Sequence, residues 1–225
     1  ACLGRLRWYD LGGTSVTTWL LSDTHFGHTN LLQYQPERLT LLGLPVGAPI
    51  EDHDEALMTH LNSIISPLDQ VWFFGDLSMG KRALTVPFTG KLHGVKSVWA
   101  PGNHDNGLWS RNKHVDQRDW WRAAGWDLAF ERRSNPLYGQ HAIAGRQVTF
   151  SHLPLHGTPD HESTEVRYEE LMLRDNGAFH IHGHSHGHNG RIHGPQDRQF
   201  DVGLDGNDLN PTSYDEIQDW IKGAS

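Results

Sequence analysis

Short apolar segments of strand type alternate with amphipathic segments from Val16 onward. Runs rich in β-branched and aromatic residues predict strands at residues 17–21, 70–74, 95–100, 146–151, 178–182 and 200–204. Residues 50–65 carry apolar side chains at helical spacing, and Pro67 ends that helix. Further helices are predicted over residues 29–35, 81–88 and 212–223. This alternation predicts an α/β layered domain with parallel or mixed sheets.

The boundaries of the domain and of its helices follow from the same pattern. Residues 1–15 show neither strand alternation nor the apolar core of a secretory signal. We expect them to be a leader or an expression-derived segment outside the core, and residues 16–225 to form a single domain. Pro87 is expected to break its short helix. Thr212 or Ser213 is expected to cap the last helix.

Polar side chains of the kinds that bind metals follow the apolar strands. They occur in the segments SDTHFGH, FFGDLS, PGNHDN, FSHLP and HGHSH. The candidate ligands, in chain order, are Asp23, His25, Asp76, Asn103, His152, His184 and His186. Strand ends of one sheet are neighbours in space even when they are far apart in sequence. The segments therefore predict one site built from several loops.

The donor set of this site consists of carboxylates, a carboxamide and imidazoles, without a thiolate. Nitrogen and oxygen donors of this kind suit Mn, Fe, Co, Ni or Zn, whereas Ca and Mg prefer oxygen alone. Seven ligands exceed what one tetrahedral ion with an open position requires. Two ions that share a bridging carboxylate would use the whole set. His104 is left over for another role.

The histidine-rich segment permits more than one register, because histidines alternate from position 180 to position 188. Gly183 ends the apolar run AFHIHG and frees the following loop. We therefore predict that His184 and His186 are the ligands. His180 and His182 are expected to be hydrogen-bonded strand residues.

The order D-x-H, GD, GNHD, H and GHxH resembles that of the calcineurin-like metallophosphoesterases, a family of binuclear phosphoester hydrolases. The resemblance spans Leu20 to His186. The segments SDTHFGHTN and FDVGLDGND are similar to a compact bacterial and phage branch of the family. The resemblance implies a four-layer αββα sandwich of two mixed β-sheets flanked by helices, and two divalent transition-metal ions.

The resemblance also implies a role for each candidate. One ion would be bound by Asp23, His25, Asp76 and His186. The other would be bound by Asp76, Asn103, His152 and His184, with Asp76 bridging. A metal-bridging hydroxide would attack the phosphorus, and His104 would donate a proton, its imidazole oriented by Asp105.

His28 and Asn30 follow the first ligand segment within one turn. A helix beginning near Thr29 would present backbone N–H groups to an anionic ligand. Contact with the substrate and simple capping of the helix both fit this position. We carry His28 and Asn30 as candidate substrate-binding residues.

Composition narrows the functional classes. The chain has 225 residues and a formal net charge of −8, which argues against tight binding of duplex nucleic acid. Two divalent ions would make the site locally positive, so a phosphate can still bind there. No apolar run approaches the ~20 residues that span a bilayer. Cys2 is the single cysteine, which excludes an internal disulfide and favours the cytoplasm.

Residues 106–146 interleave tryptophans with basic residues. Such a pattern can stack a nucleobase and contact a phosphate. We favour an amphipathic helix that buries its tryptophans, such as Trp120, Trp121 and Trp126, on the protein's own core. Trp109 belongs to the same region.

The predicted function is a broad-range phosphodiesterase that acts on a small phosphoester, with cyclic nucleotides and aryl diesters as candidates. A nucleotide or protein phosphomonoesterase is the first alternative, but it would need arginines that grip a dianion, and none lies beside the ligand segments. Met79 stands where purple-acid-type enzymes carry a tyrosine ligand. A metal-binding interaction module without catalysis belongs to a different class, and the presence of His104 argues for the enzyme.

Overall fold

The computed structural model describes residues 15–105, 115–159 and 167–224. Within these ranges the strands form two five-stranded sheets. The first sheet has the order β10-β1-β2-β3-β4. Its strands are β1 (Thr18–Leu21), β2 (Gln70–Phe73), β3 (Val95–Val98), β4 (Trp126–Asp127) and β10 (Thr212–Ser213). Strands β1 to β4 run parallel, and β10 pairs antiparallel with β1.

The second sheet has the order β5-β6-β7-β9-β8. Its strands are β5 (Tyr138–Ile143), β6 (Arg146–Ser151), β7 (Phe179–His182), β8 (Ile192–His193) and β9 (Gln199–Asp201). The central strands β6, β7 and β9 are parallel, whereas β5 and β8 pair antiparallel at the two edges. Both sheets are therefore mixed.

Helices flank the sheets. They are α1 (Leu31–Tyr34), α2 (Glu37–Leu41), α3 (Ile50–Ile64), α4 (Arg82–Thr89), α5 (Val115–Ala123) and α6 (Tyr214–Gly223). The α/β fold with two mixed sheets and flanking helices, which the resemblance implied, is confirmed. No helix of the described ranges combines the length and the apolar character needed to cross a membrane.

The two faces of the first sheet contribute to different cores because side chains alternate along a strand. Leu21 and Phe73 pack with residues of α3, such as Leu57 and Leu61, in one core. Leu20, the neighbour of Leu21, packs in a second core with residues of the second sheet and of α6. The centre of the first sheet is therefore covered on both faces, which explains why β1 has buried apolar side chains on either side.

The structure confirms one prediction about the helices and corrects another. The last helix begins at Tyr214, because Thr212 and Ser213 pair with β1 as β10. The Ser213 hydroxyl oxygen accepts a hydrogen bond from the Glu216 N–H at 3.1 Å, so Ser213 is the capping residue, one of the two that we predicted. Helix α4 continues through Pro87 to Thr89. Only two residues follow the proline before the helix ends, so the break that we expected does not occur there.

The tryptophans of residues 106–146 can be placed only in part. Trp121 and Trp126 are buried in the core beside the first sheet, as the amphipathic alternative predicts. Trp120 is 41% exposed. Trp109 lies outside the described residues, and so does the predicted leader except for Ser15.

Candidate metal centre

The candidate ligands follow parallel strands that end at the same level. Leu21 pairs with Phe73, and Phe73 pairs with Val98, so β1, β2 and β3 end side by side. In the second sheet, Phe150 of β6 pairs with Ile181 of β7. A parallel bridge between Ser22 and Gly203 joins the two sheets at this edge. The loops that carry the ligands therefore converge, as the sequence predicted.

Five of these ligands have a left-handed backbone. The φ angles are 60° at Asp23, 52° at His25, 58° at Asp76, 70° at His184 and 47° at His186. Residues with a side chain rarely adopt this region, and such strain concentrates at functional sites. Two backbone hydrogen bonds hold the first three residues, from Asp23 N–H to the Gly75 carbonyl and from His25 N–H to the Asp76 carbonyl, both at 3.0 Å. The strained turns direct the side chains into one space.

Asp23, His25 and His186 form the first group. One ligand atom from each lies within 4.8 Å of the others. The Asp23 Oδ2 accepts hydrogen bonds from the Ser22 hydroxyl at 2.5 Å and the His184 N–H at 2.9 Å. The Asp23 Oδ1 is buried without a hydrogen bond among the described residues and lies 3.7 Å from His25 Nε2. This arrangement leaves Oδ1 as the donor atom for a cation.

Asp76, His152 and His184 form the second group, with the same limit of 4.8 Å between their ligand atoms. The ring nitrogen Nδ1 of His152 lies 2.8 Å from the Phe74 carbonyl oxygen. Because a carbonyl only accepts, Nδ1 carries the proton. The other ring nitrogen, Nε2, faces Asp76 Oδ2 at 3.3 Å and is the atom that could bind a metal.

Asp76 lies between the two groups. Its Oδ1 accepts a hydrogen bond from the His104 backbone N–H at 2.8 Å. Its Oδ2 lies 3.6 Å from His25 Nε2 of the first group and 3.3 Å from His152 Nε2 of the second. Burial alone would raise the pKa of Asp76, but the charges of the surrounding imidazoles lower it below its usual range. A single carboxylate oxygen between two sets of ligands is the arrangement that a bridging ligand requires.

Asn103, a predicted ligand of the second group, offers a further oxygen. Its Oδ1 is buried and has no hydrogen-bond partner in the described part of the chain. Leaving a buried carbonyl oxygen unpaired is costly, and a bound cation would satisfy it. The unpaired oxygens of Asp23 and Asn103, together with the nitrogen donors, fit divalent metal ions.

Two glycines let the ligand loops pass close to the carboxylates. A Cβ at Gly102 would lie 2.0 Å from Asp76 Oδ1. A Cβ at Gly183 would lie 2.1 Å from the Ser22 hydroxyl oxygen and 2.5 Å from Asp23 Oδ2. Any side chain at either position would push the carboxylate out of place.

Asp105 has a different position from the one that we expected. Its Oδ2 accepts hydrogen bonds from the N–H groups of Asp76 at 2.8 Å and Gly102 at 2.9 Å. Its Oδ1 accepts from the Leu77 N–H at 2.9 Å. Burial and the charge of Asp76 raise the pKa of Asp105 to about 7. The described contacts of this carboxylate therefore hold the two ligand loops together, rather than orienting the imidazole of His104.

His104 and His28 lie beside the first group. The His104 ring centroid is 5.3 Å from that of His25 and 5.9 Å from that of His28. Burial lowers the pKa of His28 to about 4 and also lowers that of His104. Asn30 is the N-cap of α1, but its exposed side chain makes no capping hydrogen bond. The structure thus brings His28 to the centre, whereas Asn30 stays at its rim.

His180 and His182 are buried in β7. The His180 ring contacts the Thr149 hydroxyl at 3.0 Å and the Leu153 carbonyl at 3.0 Å. The His182 ring contacts the Gly183 carbonyl at 2.7 Å and the ring of His193 at 2.8 Å. Both rings have partners in the sheet, and His184 and His186 are the members of this segment that reach the ligand groups.

A model of the calcineurin-like phosphoesterases matches residues 16–188, which contain both ligand groups. The chain belongs to the calcineurin-like phosphoesterase family. Membership supports metal-dependent hydrolysis of phosphoesters in general. It agrees with the resemblance that the motifs indicated.

Relatives of this calcineurin-like phosphoesterase occur in mycobacterial phages. The Gene 66 protein of Mycobacterium phage L5 is 32% identical over 215 residues, which cover 91% of this chain and 93% of the relative. The Gene 66 protein of Mycobacterium phage D29 is 29% identical over 214 residues, with 90% and 94% covered. These relatives are compatible with a compact phage-type branch.

Among solved structures, the chain is similar to AQ665 of Aquifex aeolicus, a protein of unknown function. The TM-score is 0.55 at 18% sequence identity, and the match covers 91% of this chain and 99% of the other. At this identity the likeness supports the fold alone.

Three residues of this phosphoesterase that surround the centre escaped the sequence analysis. The Asp205 Oδ2 lies 2.6 Å from His186 Nδ1, and Arg38 binds the same carboxylate. The Tyr168 ring lies 6.1 Å from the ring of His184. Asp205 belongs to the segment FDVGLDGND, whose position after a strand was the available signal. Arg38 and Tyr168 lie in segments without a motif.

Proposed function

We propose that this protein is a binuclear metal-dependent phosphodiesterase of broad range, which hydrolyses cyclic nucleotides and aryl phosphodiesters. The observation that carries the proposal is the position of Asp76 Oδ2 between the two ligand groups, 3.6 Å from His25 Nε2 and 3.3 Å from His152 Nε2. Two cations bridged by one carboxylate suit in-line displacement at a phosphorus atom.

The first ion would be held by Asp23, His25 and His186, and the second by Asn103, His152 and His184, with Asp76 shared. When bound, such ions acidify a water molecule toward a pKa of about 7 and neutralise the oxygens of a phosphate. Asn103 would contribute a neutral oxygen, so the second ion keeps more of its positive charge.

His104 would act on the phosphoester. Its backbone N–H binds Asp76, which fixes the start of the side chain against the bridging ligand. Its ring is half-buried and faces the rings of His25 and His28. Even a neutral imidazole carries one N–H that can donate to a phosphate oxygen or to the leaving group. His28 and Asn30 would bind the substrate on the same side.

The preference for diesters is supported by the burial of Arg38 and by its hydrogen bonds to the protein. A monoester dianion is best gripped by a guanidinium in bidentate fashion. The Arg38 guanidinium reaches the ligand loop but is fully buried, and it is bound to Asp205 and to the carbonyls of Asp23 and Thr24. It is therefore not available to a substrate phosphate. The net charge of −8 argues against long duplex substrates.

The substrate class can be tested with metal-stripped protein. Aryl monoesters and diesters and 2′,3′- and 3′,5′-cyclic nucleotides would be assayed with Mn, Zn, Co or Ni added separately. We expect activity to depend on the added ion and kcat/KM to be higher for diesters. A higher kcat/KM for monoesters would replace the proposal by a phosphatase. Binding of two ions without hydrolysis of any substrate would favour a non-catalytic module.

We also propose a small phosphoester as the partner of the site and a cytoplasmic location. The single cysteine of the sequence is consistent with a reducing compartment. Fractionation of cells that express the full chain would test the location.

A further inference from the structure

Arg38 of α2 is a fully buried cation beneath the metal centre. Its Nη2 donates to the Asp23 carbonyl at 2.7 Å, and its Nη1 donates to the Thr24 carbonyl at 3.2 Å. Asp23 is a ligand of the first group with a φ of 60°. The guanidinium therefore binds the strained turn that directs the Asp23 side chain.

The same guanidinium binds a buried carboxylate in bidentate fashion. Arg38 Nε lies 2.5 Å from Asp205 Oδ1, and Nη2 lies 2.6 Å from Asp205 Oδ2. Bidentate pairs of this kind fix the orientation of both planes. Both carboxylate oxygens of Asp205 accept from the guanidinium, which is the contact of an anionic carboxylate.

Asp205 in turn orients a ligand of the first group. Its Oδ2 lies 2.6 Å from His186 Nδ1. An ionised carboxylate only accepts, so His186 carries its proton on Nδ1 and presents Nε2 to the ligand group. A carboxylate behind a metal-binding imidazole fixes the ring and raises its basicity. Arg38 therefore acts on two first-group ligands, directly on Asp23 and through Asp205 on His186.

In the second group, the imidazole of His152 has a different kind of acceptor behind it. The Nδ1 of His152 is held by the neutral carbonyl of Phe74 at 2.8 Å, not by a carboxylate. A neutral carbonyl increases the basicity of an imidazole less than a carboxylate does. The rings of His152 and His186 thus differ in the charge of the group behind them.

We propose that Arg38 and Asp205 are a positioning pair that sets the affinity of the first metal position, so that the two ions are bound unequally. This inference rests on the proposed function, because it assumes that both groups bind an ion. The pair touches neither substrate nor reacting atoms, and its effect passes through Asp23 and His186. Lysine at position 38 would keep the charge but could not make the bidentate contact and both carbonyl contacts.

The test is a calorimetric titration of metal-stripped protein with Zn²⁺, with bound metal counted by elemental analysis. We expect the wild type to bind two ions with different affinities. In Asp205→Asn and Arg38→Lys, the tighter association should weaken about 10- to 100-fold while the weaker one changes little. Asp175→Asn is the matched control. Asp175 also forms a bidentate pair, with hydrogen bonds of 2.9 and 3.0 Å to Arg198, but it belongs to neither ligand group. This control should bind as the wild type does.

Equal affinities in Asp205→Asn and the wild type, or an equal loss at both positions, would overturn the pair's role. If the wild type itself fails to bind two ions, the proposed function fails instead, so the two failures are distinguishable. Circular dichroism of each metal-free variant would report whether it folds.

A measurement on the wild type tests the inference even if a variant fails to fold. Long-range ¹H–¹⁵N spectra of the metal-free protein report which ring nitrogen carries the proton. We expect the proton of His186 on Nδ1, and a shift of its Nε2 resonance when the first equivalent of Zn²⁺ is added. An Nδ1 without a proton, or metal binding through Nδ1, would contradict the inference.

Discussion

The backbone N–H of His104 donates a hydrogen bond to Asp76 Oδ1 at 2.8 Å. The main chain of the proposed proton donor is therefore fixed to the proposed bridging ligand, while its imidazole stays half-buried and faces the ring of His25. The backbone of His104 thus fixes the loop to Asp76, while its side chain would carry the proton. A substitution of the side chain can therefore remove the proton donor without breaking the bond to Asp76.

Replacing His104 by asparagine should lower kcat about 10²- to 10⁴-fold, the usual contribution of a positioned acid. Metal content should stay that of the wild type, because the bond to Asp76 comes from the backbone. Steady-state kinetics together with elemental analysis would check both statements. An unchanged kcat would remove His104 from the mechanism.

Replacing Asp76 by asparagine should reduce metal occupancy, because the neutral amide cannot offset the repulsion between two cations. Elemental analysis after gel filtration would measure the loss. Asp69→Asn is the control, since Asp69 is also buried but binds Trp19 and the backbone of Thr17 and Ser66. The control should keep both ions even if its stability falls. Full occupancy in Asp76→Asn would exclude the bridging role.

Replacing Gly102 by alanine should also lower metal binding, although glycine is no ligand. The new Cβ would lie 2.0 Å from Asp76 Oδ1, so the carboxylate or the loop must move. Gly223→Ala serves as the control, because a Cβ there meets no atom within 4 Å. A titration with Zn²⁺ would compare the two variants. Wild-type affinity in Gly102→Ala would show that the loop can move to accommodate the Cβ without displacing Asp76.

The sequence indicated the candidate ligands because they follow strands of a recognisable kind. Asp23 follows β1, and His152 follows β6, so the apolar runs located both residues. The two-residue strand β10 was not predicted, because its pairing with β1 is a long-range contact. Short edge strands have little sequence signal of their own.

The residues that hold the candidate ligands in place were much harder to predict. Arg38 lies on a five-residue helix that has no apolar periodicity to distinguish it, and its partner Asp205 is 167 residues away. The expected role of Asp105 followed from its neighbour in sequence, whereas its carboxylate bonds to backbone amides of other loops. Residue type and spacing identify donor atoms, but only the fold decides which partners lie behind them.

His180, one of the two buried histidines of β7, should make the fold sensitive to acid. Burial lowers the pKa of His180 from 6.5 to about 4. Below pH 6.5 the unfolded chain binds a proton at this residue, whereas the folded chain does not until about pH 4. The stability contributed by neutral His180 is therefore complete above pH 6.5 and is lost as the pH falls toward 4, by roughly 3 kcal/mol in all.

Urea unfolding of the metal-free protein at pH 7.0 and pH 5.0 would measure this loss without interference from bound ions. In His180→Gln the difference in unfolding free energy between the two pH values should shrink, because the unfolded chain no longer gains that proton. If His180→Gln keeps the full pH dependence, another group carries it. In that case the hydrogen bonds of His180 to Thr149 and Leu153 serve packing alone.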